Sequence, residues 1–424
     1  MREVKNSGVE WIGVIPSEWD TLKIKFIKSE NKNSFVDGPF GSNLKSEHFV
    51  DDGDVFVIES NFATQGKMNE ENLKTITHDH YDTISRSECK AGDIIIAKIG
   101  EYFGLSNILP KLSKPSVVSG NSLKLTVSEA HSTKYIWYTL LVNKYSGNLD
   151  LLVNGSGQPA LSLGGLNEEK LPIPKFCKEE LAIASYLDRK CAEIDKVIKA
   201  KESLIEKLKE YRQSVIYEAV TKGLDKNAEM KDSGIKWIGK IPEAWETRRL
   251  KYLAEICNGQ DFKKVQVKEG GYPVMGSGGE FARASEYMYM QPSVLLGRKG
   301  TIDKPLYVDF PFWTVDTMYY TKIDKSTAAK YFYYLCLNIN FDMYQYGSAV
   351  PSMTQRDLNE IFMPFPPTVF EQQQISDFLD SKCAEIDSVI SANDSSIQKL
   401  KEYRKSVIYE AVTGKTDIIS VNMS

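Results

Sequence analysis

The length, composition and charge of the chain exclude several classes of protein. Its 424 residues are 42% hydrophobic and 26% charged, which is typical of a globular protein with two to three domains. The net charge of −4 argues against a stand-alone nucleic-acid binder, so any DNA contact must come from local clusters of cations or from a partner. The polar N-terminus and the lack of a run of about 18 apolar residues predict a cytoplasmic protein without signal peptide or membrane span.

A tryptophan motif opens each half of the chain. The pattern Trp-Ile-Gly-x-Ile-Pro-x-x-Trp occupies residues 11–19 and recurs at 237–245. Its apolar residues are four apart, but Gly13 and Pro16 would interrupt a regular helix. We therefore predict an apolar clasp that docks each globular domain onto a helical stem.

Each clasp is followed by a globular region whose sequence differs between the two halves. Short β-branched runs such as 55–58 and 94–97 predict buried strands in the first region. Both regions end on a Pro-x-Pro segment, at 171–174 and 363–366, for which we predict a stiff extended linker.

The closing segment of each half is a repeated helix. Residues 185–221 align without gaps on residues 377–413, and 27 of the 37 positions are identical. Apolar residues recur at threes and fours, which predicts one apolar stripe and therefore a partner helix. The other copy is the simplest partner. The predicted seam consists of Ile194, Ile198, Lys201, Ile205, Leu208 and Tyr211 in the first copy, and Ile386, Ile390, Asn393, Ile397, Leu400 and Tyr403 in the second.

Two copies of one plan follow from these repeats: a clasp, a variable globular domain and a long helix. The predicted class is α+β, with two globular α/β domains separated by two long helices. The predicted boundaries are 1–177 for the first domain with its clasp at 5–27, 178–223 for the first spacer helix, 224–366 for the second domain with its clasp at 231–253, 367–415 for the second spacer helix, and 416–424 for a tail.

Motifs for catalysis or metal binding do not stand out in the sequence. No phosphate-binding loop ending in Gly-Lys-Ser/Thr and no Gly-x-Ser-x-Gly elbow is present, and residues 276–279 lack the spacing of a dinucleotide fingerprint. The six cysteines include no close pair, and His78 and His80 lack a third ligand. We therefore predict no catalytic residue and no metal site.

Polar residues on glycine-containing loops are candidates for DNA contacts. Arg can read guanine, and Asn and Gln can read adenine, while glycines allow the backbone to approach a phosphate. Taken singly, each residue fits an ordinary surface turn better than a DNA contact. The candidates are Ser42, Asn43, Lys45, Lys98, Ser156, Gln158, Ser277, Arg298, Lys299 and Ser348.

The whole pattern resembles the specificity (S) subunit of type I DNA restriction–modification systems. The resemblance rests on the doubled tryptophan motif, on Asp-Gly-Pro-Phe-Gly-Ser at 37–42, and on the doubled Lys-Leu-Lys-Glu-Tyr-Arg at 207–212 and 399–404. It implies two target-recognition domains held by an antiparallel coiled coil, with an internal pseudo-two-fold repeat. Each domain would read one half of a bipartite asymmetric site in double-stranded DNA.

The resemblance also implies partners and cofactors. Two methyltransferase (M) subunits would dock on the chain, and restriction (R) subunits would join them. S-adenosylmethionine, ATP and Mg²⁺ would be used by those subunits and not bound by this chain. Two alternatives stay open: a scaffold or DNA mimic that binds M subunits without reading DNA, and a single-chain nuclease or methyltransferase.

Overall fold

The computed structural model of the protein describes residues 2–153, 159–343 and 351–418. The chain forms two compact units: unit 1 comprises Met1–Ala200 and Ser396–Ser424, and unit 2 comprises Lys201–Ser395. Both boundaries fall within long helices, whereas the sequence suggested boundaries at the helix ends. Each unit therefore contains one globular domain together with a part of both helices.

Unit 1 is built from short strands and helices. The strands are β1 (Val4–Asn6), β2 (Val14–Pro16), β3 (Asp20–Lys23), β4 (Phe35–Asp37), β5 (Val55–Ile58), β6 (Lys74–Ile76), β7 (Glu88–Cys89), β8 (Ile94–Ala97), β9 (Ser106–Ile108), β10 (Ser116–Val118), β11 (Ser122–Leu125) and β12 (Lys170–Ile173). The helices are α1 (Ile24–Ile27), α2 (Ser60–Gln65), α3 (His78–Ile84), α4 (Thr133–Tyr145), α5 (Leu163–Glu168) and the first part of α6 (Cys177–Lys222).

Two four-stranded sheets make the globular part of unit 1. Their strand orders are β4-β11-β8-β9 and β6-β5-β10-β7. The first sheet is antiparallel, and the second contains one parallel pair, β5 with β10. The buried β-branched residues of β5 and β8 predicted from sequence do form these strands, whose four residues are all buried.

Unit 2 contains a second set of strands and helices. The strands are β13 (Met230–Asp232), β14 (Lys240–Pro242), β15 (Glu246–Arg249), β16 (Ala254–Asn258), β17 (Gln266–Val267), β18 (Tyr272–Gly276), β19 (Gly279–Ala284), β20 (Ser293–Gly297), β21 (Leu306–Val308), β22 (Trp313–Thr314), β23 (Met318–Ile323) and β24 (Phe362–Phe365). The helices are α7 (Ala329–Cys336), α8 (Gln355–Glu360) and the first part of α9 (Val369–Val412).

The sheets of unit 2 repeat those of unit 1 despite the different sequence. The order β16-β23-β20-β21 matches β4-β11-β8-β9, and β19-β18-β22 matches β6-β5-β10, including the parallel pair. The loop that joins β5 to β6 contains α2, whereas β18 and β19 are joined by a two-residue turn. This shorter turn accounts for part of the difference in length between the two halves.

The two long helices run antiparallel within each unit. In unit 1, Arg404 of α9 lies 3.0 Å from the Asp195 carboxylate of α6. In unit 2, Arg212 of α6 lies 3.1 Å from the Asp387 carboxylate of α9. Residues in the N-terminal half of each helix therefore contact residues in the C-terminal half of the other. The predicted fold class, with two α/β domains, paired long helices and an internal repeat, is confirmed.

Most of the predicted seam residues are buried or half-buried. Tyr211 and Tyr403 differ, because they are 58% and 57% exposed. Their neighbours Arg212 and Arg404 form ion pairs with the opposite helix. The buried seam residues are Ile194, Ile198, Ile205, Ile386, Asn393 and Ile397, and the half-buried ones are Lys201, Leu208, Ile390 and Leu400.

Each clasp packs on the C-terminal end of a long helix. In unit 1, Trp19 is fully buried in a cluster that includes Ile408 and Val412 of α9. In unit 2, Trp245 is buried in a cluster with Ile216 and Val220 of α6. Each domain is therefore fastened to a helix end in its own unit by the same tryptophan motif.

The predicted Pro-x-Pro linkers are in fact strands. β12 pairs antiparallel with β3, and β24 pairs antiparallel with β15. Proline is tolerated in such two-stranded edges because a missing N–H can face away from the partner strand. Among the described residues, no helix is long and apolar enough to cross a membrane.

Candidate nucleic-acid interface

Three loops of unit 1 meet at one edge of its antiparallel sheet. β4 and β8 both run antiparallel to β11, so their C-terminal ends lie where β11 begins. The Lys98 amide donates to the Asn121 carbonyl at 2.9 Å, and the Gly38 amide donates to the Ser122 carbonyl at 3.0 Å. We call the loops at 38–45, 98–100 and 119–121 the recognition edge of unit 1.

Unit 2 forms the same edge with the same backbone contacts. The Arg298 amide donates to the Thr317 carbonyl at 2.9 Å, and the Gly259 amide donates to the Met318 carbonyl at 3.0 Å. Because β18 runs parallel to β22, the turn after β18 also lies here. The recognition edge of unit 2 comprises 259–261, 277–278, 298–300 and 315–317.

A glycine is required at the same place in both edges. A Cβ atom on Gly38 would lie 2.0 Å from the Ser119 carbonyl oxygen, and one on Gly259 would lie 2.0 Å from the Val315 carbonyl oxygen. These distances are far inside van der Waals contact, so no other residue fits without moving the loop. Glycine therefore lets two loops pack against each other and keeps both edges alike.

Three of the candidates in unit 1 lie exposed on the loop that follows β4: Ser42, Asn43 and Lys45. His80 Nε2 lies 3.0 Å from the Asn43 carbonyl oxygen, and this contact holds the backbone of the loop. The Asn43 side chain is exposed, and its Oδ1 accepts a hydrogen bond from Ser42 Oγ at 3.3 Å. This loop can therefore present an amide and an ammonium group to a ligand.

The sequence predicted that Lys98 is free to contact DNA, but in the structure its ammonium group is engaged in an ion pair. Its side chain is 15% exposed, and its Nζ lies 3.1 Å from Asp37 Oδ2. Arg86 binds the other Asp37 oxygen at 3.0 Å. The ion pairs join residues that are 49 and 61 positions apart, so neither partner could be inferred from local sequence. Lys98 stabilises the base of the edge, and Arg86, which the sequence analysis did not single out, is the more exposed cation.

The candidates of unit 2 lie together. Ser277 forms the turn between β18 and β19, and Lys299 is exposed beside Arg298. The Arg298 guanidinium donates to the Asp316 carbonyl at 3.2 Å and lies 6.0 Å from the centre of the Tyr319 ring. Gln260 is also exposed at this edge, and its backbone is fixed by a hydrogen bond from Trp313 Nε1. Its position directly after Gly259 was the signal that could have identified it.

The remaining candidates, Ser156, Gln158 and Ser348, lie outside the described residues. Their neighbours reach the two edges in the same way. The Gly100 amide donates to the Pro159 carbonyl at 3.1 Å in unit 1, and the Gly300 amide donates to the Pro351 carbonyl at 2.9 Å in unit 2.

The side chains of both edges are of kinds that bind nucleic acids. Amide, guanidinium and ammonium groups are the ones that contact base edges and phosphates in protein–DNA complexes. Within the described ranges, no group of three or more His, Cys, Asp or Glu residues could hold a metal ion.

A family model decides which proteins this chain belongs with. The model of the type I restriction modification DNA specificity domain matches residues 38–209 and matches again at 242–392, together more than half of the chain. The chain belongs to this family. Each match covers one globular domain and part of a long helix. The family model therefore matches each of the two repeats of the chain once.

Curated proteins similar to this chain are named as type I specificity subunits. A protein of Methanocaldococcus jannaschii named as the specificity subunit of type I restriction enzyme MjaX is 21% identical over 425 residues, covering 95% of each chain. The MjaVIII specificity subunit of the same organism is 25% identical over 61% of this chain and 54% of its own length. The EcoDI specificity subunit of Escherichia coli is 24% identical over 42% of this chain and 40% of its own length.

Solved structures show the same fold. A chain from a study of complex assembly and conformational transition of the type I R-M system has a TM-score of 0.73 at 14% identity, covering 95% of this chain and 99% of that one. The HsdS subunit from Thermoanaerobacter tengcongensis has a TM-score of 0.53 at 14% identity, covering 97% and 100%. A specificity subunit is the non-catalytic component of a type I system, so family membership confirms that this chain is not itself an enzyme.

Proposed function

We propose that this type I specificity subunit reads a bipartite, asymmetric DNA site, one half with each recognition edge. The observation that carries the proposal is that both edges have the same backbone hydrogen bonds but different side chains. The equivalent positions are Lys98 and Arg298, and Asn121 and Thr317. A shared backbone supports a shared task, and different side chains support different sequences.

Base reading follows from the groups that each edge exposes. The Asn43 amide can pair with adenine, and the Gln260 amide can do the same in unit 2. Arg298 can pair with guanine if its contact with the Asp316 carbonyl is exchanged for a base. Ser42, Ser277, Lys45 and Lys299 supply hydroxyl and ammonium groups for bases or phosphates.

Docking of two M subunits is the second part of the proposal. Exposed apolar residues on the long helices occur in repeat-related pairs with nearly equal exposure. Val197 and Val389 are 44% and 42% exposed, and Tyr211 and Tyr403 are 58% and 57% exposed. A surface that is duplicated together with its exposed apolar side chains fits a partner that binds twice in the same way.

R subunits then join through the M subunits in this proposal. S-adenosylmethionine, ATP and Mg²⁺ are bound by those partners and not by this chain. The support is the side chains of the two recognition edges, which are suited to contacts with bases and phosphates.

Sequencing of methylated bases in a host that expresses the M subunit tests the function. It compares cells that carry the gene for this chain with cells that lack it. A bipartite motif that is methylated only when the gene is present supports the proposal. The competing possibility, a scaffold that binds M subunits without reading DNA, is favoured by the net charge of −4. In that case the M subunit would bind the chain, but no motif would depend on it.

A further inference from the structure

A basic groove lies on the second sheet of unit 2. It is an open cavity of about 1040 Å³, lined by β17, by β19 and by the loop that precedes β17. Lys263, Lys268 and Arg283 line it, and Glu280 is the acidic residue of the lining. Three cations and one carboxylate give the lining a net charge of +2 in a chain whose total charge is −4.

Two of these cations have no ion-pair partner in the part of the chain that the structure describes. Among the residues that the structure describes, no ion pair joins Lys263 or Lys268, and both residues are exposed. Arg283 differs, because it lies 2.8 Å from the Glu280 carboxylate and donates to the Gly271 carbonyl at 3.1 Å. The Arg283 charge is offset by Glu280, whereas no ion pair among the described residues offsets the two lysines, and an anion bound between them would neutralise their charge.

An aromatic pair forms part of the same surface. The ring of Phe281 is 57% exposed and packs edge-on against Phe262, with the ring centres 5.3 Å apart. Phe281 also covers Gly276, which leads directly into the turn at Ser277. The groove is therefore continuous with the recognition edge of unit 2. An apolar ring beside cations suits the sugar–phosphate backbone, which has apolar sugar faces between its charges.

The cavity beside β5 and β6 in unit 1 carries the opposite charge. It has a volume of about 550 Å³ and is lined by Asp51, Asp52, Glu70 and Glu71 and by two lysines. Both lysines are engaged: Lys74 pairs with Glu59 at 2.7 Å, and Lys114 donates to the Gly53 carbonyl at 2.9 Å. Four carboxylates and two cations give this lining a net charge of −2.

We propose that the basic groove of unit 2 binds the phosphate backbone of double-stranded DNA without regard to sequence. The proposal rests on the DNA-reading function and adds a sequence-independent contact to it. The recognition edge of unit 2 reads bases, whereas the groove beside it holds the sugar–phosphate backbone.

The test measures the salt dependence of DNA binding by the chain assembled with its M subunits. The probes are a duplex of arbitrary sequence and a duplex that contains the motif found by methylation sequencing. The variant is Lys263→Gln with Lys268→Gln, and Lys263→Arg with Lys268→Arg is its charge-preserving counterpart. The matched control is Lys236→Gln with Lys240→Gln, which removes two exposed lysines of the same unit away from the groove.

The groove variant should bind both duplexes more weakly by the same factor. Its plot of log K against log salt should be shallower by about 1 for each lysine. The arginine variant and the control should keep the original slope. An unchanged slope in the groove variant, with motif-selective binding intact, would overturn the groove and leave the DNA-reading function standing.

Two other outcomes are also decisive. A loss confined to the motif duplex would make the groove a base reader and overturn the proposal of a phosphate site. A wild-type assembly that binds no duplex would instead remove the DNA-reading function itself, together with the groove.

Discussion

Lys201 Nζ donates a 3.0 Å hydrogen bond to Asn393 Oδ1 across the two long helices, and the two residues are repeat equivalents, 192 positions apart. The Asn393 side-chain amide also donates to the Val389 carbonyl at 2.8 Å, so its oxygen is turned towards Lys201. Asn393 is buried among apolar seam residues. Another pairing of the helices would leave these polar groups without partners, so the contact favours the observed register.

Asn393→Leu should destabilise the protein, because the half-buried ammonium group of Lys201 loses its acceptor. The expected loss is about 1–3 kcal/mol of the free energy of unfolding. Adding Lys201→Leu should restore most of it, since an all-apolar seam needs no polar partner. Urea unfolding of both single variants and the double variant measures the coupling. Lys199→Leu, on the exposed face, is the control, and a double variant as unstable as Asn393→Leu would contradict the prediction.

Tyr135→Phe and Tyr331→Phe should destabilise their units to a similar degree. The Tyr135 hydroxyl lies 2.8 Å from the Pro172 carbonyl oxygen and 2.9 Å from that of Val412, and the Tyr331 hydroxyl bonds Pro364 and Val220 in the same way. Val412 and Val220 lie at or near the ends of long helices, where carbonyl groups lack helical partners.

Removal of either hydroxyl leaves buried carbonyl groups unpaired, at a cost of about 1–3 kcal/mol. Thermal unfolding of the two variants measures that cost. Tyr102→Phe is the control, because Tyr102 is 56% exposed. Equal stability of all three variants would show that the hydroxyl contacts do not matter.

The clasps, the long helices and the repeat could be predicted because they are encoded locally. Trp19 and Trp245 are buried as expected. Periodicity alone could not show how far each seam side chain is buried, so the exposure of Tyr211 and Tyr403 was not predicted. The strand order that the sheets of the two domains have in common was not predicted. It depends on pairs such as Asp37 with Leu123, which are far apart in sequence.

The candidate edge shows the same limit at single residues. Arg298 and Lys299 could be found because glycines flank a buried strand end. The partner of Lys98 is Asp37, 61 positions away, and no local pattern links them. Gln260 was overlooked because its exposure depends on how its loop packs beside Thr314, to which its amide donates at 2.9 Å.

Glu168→Gln should remove a pH-dependent part of the stability of unit 1. Hydrogen bonds from Lys23 and Lys25, both at 2.6 Å, lower the pKa of Glu168 to about 2, from an ordinary value of 4.5. A lowered pKa means that the contribution is present above pH 4.5 and is lost as the pH falls through about 2. The wild type should therefore be more stable than the variant at pH 6 and equal to it near pH 2.

Urea unfolding between pH 2 and pH 6 measures this difference for wild type and variant. Glu30→Gln serves as the control, because Glu30 is exposed and no ion pair joins it within the described ranges. High salt should reduce the difference, since the glutamate is at the surface. A difference that stays constant across the pH range would rule out the ion-pair explanation.

Variants of the two recognition edges should change different halves of the methylated motif. Asn43→Ala should relax the sequence preference in one half only, and Gln260→Ala or Arg298→Ala should relax it in the other. Each lost base contact is worth about 1–3 kcal/mol of discrimination. Methylation sequencing of hosts that carry each variant measures the preference by position, with Lys236→Ala as the control away from both edges. Simultaneous loss in both halves would contradict independent reading.

A matched insertion of one heptad into both helices should lengthen the unread gap of the motif. The insertion follows Lys201 in α6 and Asn393 in α9, and seven residues return the apolar seam to the same face. Each insertion adds about 10 Å at ~1.5 Å per residue, which corresponds to about three base pairs at ~3.4 Å each. Methylation sequencing should find both half-sites unchanged and farther apart. An insertion in α6 alone leaves its seam residues unmatched, so it should lower the melting temperature. If the matched variant methylates the original motif with its original gap, helix length does not set the spacing.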